Sequence, residues 1–206
     1  MRTPPSEPAR IGPNAATQLI AALRQAGETE TLERLFGEAG RAAWLGDPPQ
    51  RMIAADDAAR LHVGLRRLLP DARAEAVLRE AGRLTGLYLL AHRIPRPAQA
   101  ALKLLPKRWA AKALTRAIAA HAWTFAGAGR FEADVGRAAR IAIHDNPLCA
   151  GLRAAAPACV WHAAVLATLY RALVSRHARV DEIECRASGG ACCRFQIAWR
   201  KGAGCG

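Results

Sequence analysis

The chain has 206 residues, enough for one domain with a substantial core. No apolar run approaches the ~18 residues of a membrane-spanning helix, so a soluble or peripheral protein is expected. Thirty Lys and Arg stand against 17 Asp and Glu, a net charge of +13 and an isoelectric point near 10.7. The charge is overwhelmingly arginine in an alanine-rich chain, the bias a GC-rich genome imposes, so the total alone names no partner.

The start, Met1-Arg-Thr-Pro-Pro-Ser-Glu-Pro, has no apolar segment of the kind a secretory signal carries, which predicts a reducing, cytoplasmic setting. Residues 1–10 are proline-rich and expected to be unordered. A single domain is expected over 11–200, with 201–206 a flexible tail. Gly12-Pro13-Asn14 opens a helix with Ala15, Leu19, Ile20 and Leu23 on one stripe, stopped by Gly27. A second short helix runs from Thr31 to Ala39. Gly46-Asp-Pro-Pro49 breaks the chain, and Asp56 can cap a helix carrying Leu61, Leu65, Leu68 and Leu69 up to Pro70. From Asp71 to about Arg93 the buried stripe reads Val77, Leu78, Ala81, Leu84, Tyr88 and Ala91.

Between Glu80 and Glu132 there is no acidic residue, while Arg83, Arg93, Arg96, Lys103, Lys107, Arg108, Lys112, Arg116 and Arg130 all fall there. A one-signed stretch of that length attracts anions: lipid headgroups, ligand carboxylates or an acidic protein. Nucleic acid fits least, because no helix-turn-helix, zinc-finger or RNA-recognition signature is present. Pro95, Pro97 and Pro106 divide this segment. A helix from Lys107 to Ala122 follows, with Ala110, Leu114, Ala117, Ile118 and His121 on its apolar face. Two strands are predicted next, over 130–135 and 139–144, broken by Asn146-Pro147. A helix from Pro157 to about His177 and a hairpin around Ser188-Gly189-Gly190 close the chain. Helices first, then a small antiparallel sheet with one long helix inserted before the last hairpin, is an α+β fold.

The hairpin, Glu182-Ile-Glu-Cys185-Arg-Ala-Ser-Gly-Gly-Ala-Cys-Cys193-Arg-Phe195, carries the most specific chemistry. A period of two turns Cys193 inward with Phe195, Ile197 and Trp199, puts Cys192 on the solvent face, and gives Cys185 the same face as Ile183. Helical spacing from Pro157 places Cys159 in a first turn on the core stripe. Cys159, Cys185 and Cys193 with nearby Glu182 form a set that suits tetrahedral zinc with no open position. Glu182 and Cys185 lie three apart, so an ideal strand separates them and the set requires a bulge or a later strand start. Buried free thiols also serve as ordinary small hydrophobes, Cys192 can substitute for one ligand, and Cys149 and Cys205 read as incidental.

These residues resemble the signature of the 4-vinyl reductase domain family, a small α+β ligand-binding module that also occurs in sensors of aromatic effectors. The resemblance places a structural zinc on Cys159, Glu182, Cys185 and Cys193. Ala9-Arg-Ile-Gly-Pro-Asn-Ala and the stretch from His144-Asp-Asn-Pro147 to Cys159-Val-Trp-His162 are similar to the bacteriochlorophyll-pathway branch of that family. It implies a Mg-tetrapyrrole as ligand or substrate, pathway enzymes as partners and a place at or near the photosynthetic membrane. The implied function is carriage of a Mg-protoporphyrin or divinyl-protochlorophyllide, the alternative being reduction of its 8-vinyl group (4-vinyl in the older ring numbering).

A reductase needs a hydride or electron source, and no G-x-G-x-x-G, flavin, haem or iron–sulfur pattern is visible. Binding is better supported. A Mg-tetrapyrrole needs an apolar surface, cations for its carboxylates and an imidazole for the metal. His121, Trp123, Phe125, His144 and His162 fall where helix meets sheet, beside the acid-free stretch, although each histidine taken alone also reads as a structural one.

Overall fold

A computed structural model describes residues 9–199. The expected unordered start lies outside them except for Ala9 and Arg10, and the expected tail and Cys205 lie outside them entirely. The architecture is α+β. Arg10 and Ile11 form β1 (Arg10–Ile11), which pairs antiparallel with β2 (Ile53–Ala54). Between and after these strands come helices α1 (Asn14–Gln25), α2 (Thr29–Glu38) and α3 (Ala55–Leu68). Their apolar faces, including Leu19, Leu23, Leu35, Phe36, Leu61 and Leu65, bury one another. Asp56 is not the cap of α3: the helix begins at Ala55, and Asp56 stands in its first turn. Its neighbour Asp57 is buried and takes a two-pronged bond from Arg41 at 2.8 and 3.0 Å, which ties the end of α2 to α3. His62, on the inner face of α3, bonds the Ala15 carbonyl at 3.0 Å, and burial lowers its pKa to about 4.

Helix α4 (Asp71–His92) buries Ala74, Val77, Leu78, Ala81, Gly82, Thr85 and Gly86. That stripe differs from the expected one after Ala81: small residues make the contact, so Leu84 and Tyr88 are only half-buried and Ala91 is exposed. Their partner is α8 (Val160–Leu173), which packs lengthwise on α4. A Cβ on Gly82 would stand 2.3 Å from the Trp161 carbonyl oxygen, and one on Gly86 2.6 Å from Thr168. The glycines therefore set the distance between the two helices.

The prolines at 95 and 106 frame a helix that sequence reading missed, α5 (Arg96–Leu104), with Pro97 in its first turn where a missing N–H costs nothing. Helix α6 (Lys107–Ala120) follows. It buries Ala110 and Leu114 as expected, but Ala111 and Thr115 complete the face while Ala117 and His121 are exposed. The Thr115 hydroxyl bonds the Tyr170 hydroxyl across to α8, which turns α6 by about one residue from the purely apolar stripe. After the single turn α7 (Trp123–Ala126) comes the sheet, β3 (Phe131–Val135), β4 (Ala139–Ile143), β5 (Arg179–Glu184) and β6 (Cys193–Ala198), antiparallel throughout in the order β3-β4-β6-β5. On its inner face Ile141 stands opposite Phe195 and Ile143 opposite Cys193. Helix α8 lies between this face and α4 and is buried on both sides, through Leu166, Leu169, Tyr170 and Leu173 toward the sheet. No helix among the described residues is long and apolar enough to cross a membrane.

Two stability predictions follow from this packing. Gly82→Ala, although alanine favours helix, lowers stability by about 1–3 kcal/mol through the clash with Trp161. Gly37→Ala, at an exposed site with no atom near the added methyl, raises it by about 0.5–1 kcal/mol; paired melting curves check both signs. For His62 the folded-state pKa lies below the unfolded 6.5, so the unfolded state protonates first. Its contribution is complete above pH 6.5 and declines toward pH 4, by about 1.4 kcal/mol per pH unit. Urea midpoints at pH 7 and 5 are expected to converge in His62→Gln relative to wild type.

Candidate metal centre

The donors meet where the start of α8 faces the β5–β6 hairpin. Cys159 occupies the residue before α8, not its first turn, and Pro157 lies outside the helix. The Cys159 backbone N–H, left without a helical partner at this end, donates to Glu182 Oε2 at 2.7 Å. Its Sγ lies 3.4 Å from that of Cys193 and 3.7 Å from that of Cys185, with 4.0 Å between the last two. Four thiolate-type donors at about 2.3 Å from a tetrahedral zinc would stand about 3.8 Å apart, so the three sulfurs already have that spacing. One ligand atom from each of Cys159, Glu182, Cys185 and Cys193 falls within 4.8 Å of the others.

A bulge makes this possible. Glu182 pairs with Phe195 and Glu184 with Arg194, so one residue, Ile183, is extra on β5. It points outward at 50% exposure and does not share a face with Cys185, which is buried. After the bulge the alternation resumes one step out of phase, and Glu182 and Cys185 reach the same side. The hairpin itself is held by Glu184, whose carboxylate accepts from the Ala191 and Cys192 backbone N–H at 2.8 and 3.3 Å and from Arg194 Nε at 3.1 Å. Gly189, with φ +93°, makes the reversal with no Cβ to oppose it.

Cys192 is buried, not on the solvent face. It precedes β6, and its Sγ is directed to Glu184 Oε2 and Arg194, away from the other thiols. Cys149 is not incidental. It ends the 3-10 turn Pro147–Cys149, is buried, and puts its Sγ 3.5 Å from Cys193. Asn146 stands beside it, donating its amide to Cys159 Sγ at 3.4 Å while its Oδ1 accepts from the Leu148 N–H. Asn-Pro announces such a turn in the sequence, but no periodicity says where the thiol two residues after the proline will point.

The electrostatics fit a bound cation. Burial pushes the Glu182 carboxyl up to about 8, and its Oε1 is buried with no hydrogen-bond partner. A buried carboxylate oxygen beside sulfur donors is stabilised by a positive charge that no protein side chain supplies here. Hydrogen bonds from Cys149 and Cys159 draw Cys193 down to about 7, and those from Cys149, Cys159 and Cys193 hold Cys185 below the ordinary thiol range. Thiolates are the metal-binding form.

Of the expected ligand-binding residues, Phe125 and His162 come together, with ring centroids 6.3 Å apart. Phe125 also meets Phe131 edge-on. His162 is fully buried beside Trp161 and Phe195, and burial lowers its pKa to about 3. The cavity it shares with His62, Arg66, Trp161 and Cys159 has about 260 Å³, below the roughly 300–1,000 Å³ of ordinary ligand pockets. His144 pairs instead with Glu132 at 3.3 Å. His121 and Trp123 lie at the surface, where α6 passes into α7, and Trp123 is 58% exposed. His121 Nδ1 is 2.9 Å from the Ala117 carbonyl. Since a carbonyl only accepts, Nδ1 carries the proton and Nε2 is left as a lone-pair donor.

Comparison with known proteins adds to this geometry. The 4-vinyl reductase domain family matches residues 139–198, a span that contains β4, α8, the hairpin and every donor named above. Over 188 residues the chain is 42% identical to the bacteriochlorophyll synthase 23 kDa chain of Cereibacter sphaeroides, covering 91% of this chain and 90% of the relative. Over 195 residues it is 39% identical to the protein of the same name from Rhodobacter capsulatus, covering 94% and 89%. Among solved structures it is similar to trafficking protein particle complex subunit 3 from Naegleria fowleri, crystallised covalently bound to palmitic acid. The TM-score is 0.54 over 71% of this chain and 95% of that one, at 13% identity, a likeness of fold.

Proposed function

The chain belongs to the family of the bacteriochlorophyll synthase 23 kDa chain, and we propose that it serves bacteriochlorophyll formation as an accessory factor that carries a Mg-tetrapyrrole between pathway enzymes. The observation that carries this reading is the 42% identity maintained over nine-tenths of both chains. A Mg-tetrapyrrole is an apolar disc with carboxylates at its rim and a metal that accepts one more ligand. Its place is the surface shelf at the α6–α7 junction, because the interior cavity of about 260 Å³ is too small for a macrocycle. There His121 offers Nε2 to magnesium with its ring held by the Ala117 carbonyl. Exposed Trp123 offers a stacking face, and Lys107, Arg116 and Arg130 supply charge for carboxylates. Phe125, His144 and His162 support the shelf from beneath and beside it. The setting is the cytoplasmic side of the photosynthetic membrane, where the relatives' pathway enzymes would be its neighbours.

The same reading gives the metal centre a structural role. We infer that Cys159, Glu182, Cys185 and Cys193 hold one zinc. The support is the donor set, the sulfur spacing and the buried Glu182 oxygen. Four protein donors close a tetrahedral site, so the ion would clasp the start of α8 to the hairpin and take no part in chemistry.

Two measurements test these readings. Titration of purified protein with Mg-protoporphyrin and divinyl-protochlorophyllide is expected to shift and sharpen their absorption in a saturable way, and His121→Ala to remove the shift. His92→Ala, whose Nδ1 is likewise bonded to a backbone carbonyl but on α4, is expected to keep it. No shift in wild type overturns the carrier reading. Conversion to the monovinyl pigment when NADPH is added makes the protein the 8-vinyl reductase instead. For the clasp, wild type is expected to hold about one zinc per chain, Cys185→Ala and Cys193→Ala to hold none and to lose several kcal/mol of stability. Metal-free protein of unchanged melting temperature refutes the clasp and leaves the carrier reading standing.

A further inference from the structure

Seven consecutive residues at the turn between α5 and α6, Lys103-Leu-Leu-Pro-Lys-Arg-Trp109, are exposed. Leu104 is 87% exposed, Trp109 61% and Leu105 43%, the largest cluster of uncovered apolar side chains among the described residues. The turn is ordered by its backbone: Leu105 N–H donates to the Leu102 carbonyl, and the Trp109 and Ala110 N–H groups to the Pro106 carbonyl. Pro106 sets the entry to α6. These side chains are therefore presented outward by a built corner.

The charge around the corner has one sign. Lys103, Lys107 and Arg108 are within it, and Lys112 stands one turn along α6 with its ammonium 5.9 Å from the Trp109 ring. Arg93, Arg96 and Arg116 flank it on α5 and α6. None of these seven cations has an ion-pair partner among the described residues, and no acidic residue lies between Glu80 and Glu132.

We propose that this α5–α6 corner docks on an anionic lipid bilayer, with Leu104, Leu105 and Trp109 entering the headgroup boundary and the surrounding Lys and Arg holding acidic headgroups. Tryptophan favours that boundary, where its ring is half-solvated, and long basic side chains reach from an apolar patch to charged headgroups. Three apolar side chains alone hold a protein to a membrane only weakly, so binding requires both the apolar and the electrostatic contribution. An acidic protein partner would use the same cations but has no need of a protruding leucine pair. The docking needs no bound pigment, so its test is independent of the carrier reading.

The test is sedimentation of the purified full chain, without pigment, with vesicles of phosphatidylcholine alone or mixed with phosphatidylglycerol in equal amounts. Binding is expected to the mixed vesicles only and to be lost at high salt. Lys103→Gln and Lys107→Gln each lower partitioning about fivefold. The double variant Leu104→Ser with Leu105→Ser lowers it at least about tenfold with an unchanged melting temperature, since both sites are exposed. A blue shift of tryptophan emission on adding mixed vesicles is expected in wild type and absent in Trp109→Phe. No binding to mixed vesicles overturns the proposal. So does a charge-dependent association unaffected by the leucine and tryptophan variants, which would leave the corner as a docking patch for an acidic protein.

Discussion

The bond from the Cys159 backbone N–H to the Glu182 carboxylate is the contact on which the arrangement of the C-terminal half depends. A helix that starts inside a protein leaves N–H groups unpaired and a positive end to its dipole. Glu182 satisfies both, which fixes the start of α8 against β5. Once that distance is set, Cys159 is brought to the two hairpin thiols, and α8 is laid across the sheet with its other side free for α4. The four donors, the sheet and the long helix pair are thus parts of one construction, all within or facing the stretch matched by the 4-vinyl reductase domain family.

Helix α8 is apolar on nearly every side because it is covered on nearly every side. Its two coverings use different means. Toward the sheet it presents Leu166, Leu169, Tyr170 and Leu173 to branched and aromatic residues of β4 and β6. Toward α4 it relies on near backbone contact, made by Gly82 and Gly86. The clasp at one end and the glycine contact along the length leave α8 little freedom to shift, and little interior space for a large ligand. This is why the surface at α6 and α7, where His121 and Trp123 are uncovered, is the better place for one.

The fold class, the order of elements and the four donor residues were legible because they are written in short-range patterns: helical stripes, a two-residue alternation and a glycine turn. What was not legible depends on neighbours. Ala91 and Ala117 fit their stripes, but the small residues Gly82, Gly86 and Thr115 rotated the real contact faces away from them. Helix α5 was hidden by prolines that read as breaks and in fact stand at its start. Ile183 looked like an inward strand residue, and only the pairing partners on β6 reveal that it is the extra one. Cys149 lies in a 3-10 turn, where neither helical nor strand period applies.

The bulge at Ile183 also bears on how these molecules behave in a crowded cell. Strand β5 ends the sheet and pairs on one side only among the described strands, and an open edge is a template on which another chain can extend the sheet. The extra residue bends that edge and breaks its regular spacing, while Arg179 and Asp181 add charge along it. At the opposite edge β3 carries Glu132 and Asp134. The distortion that turns two donors to one side thus also protects the protein from polymerising through its own sheet.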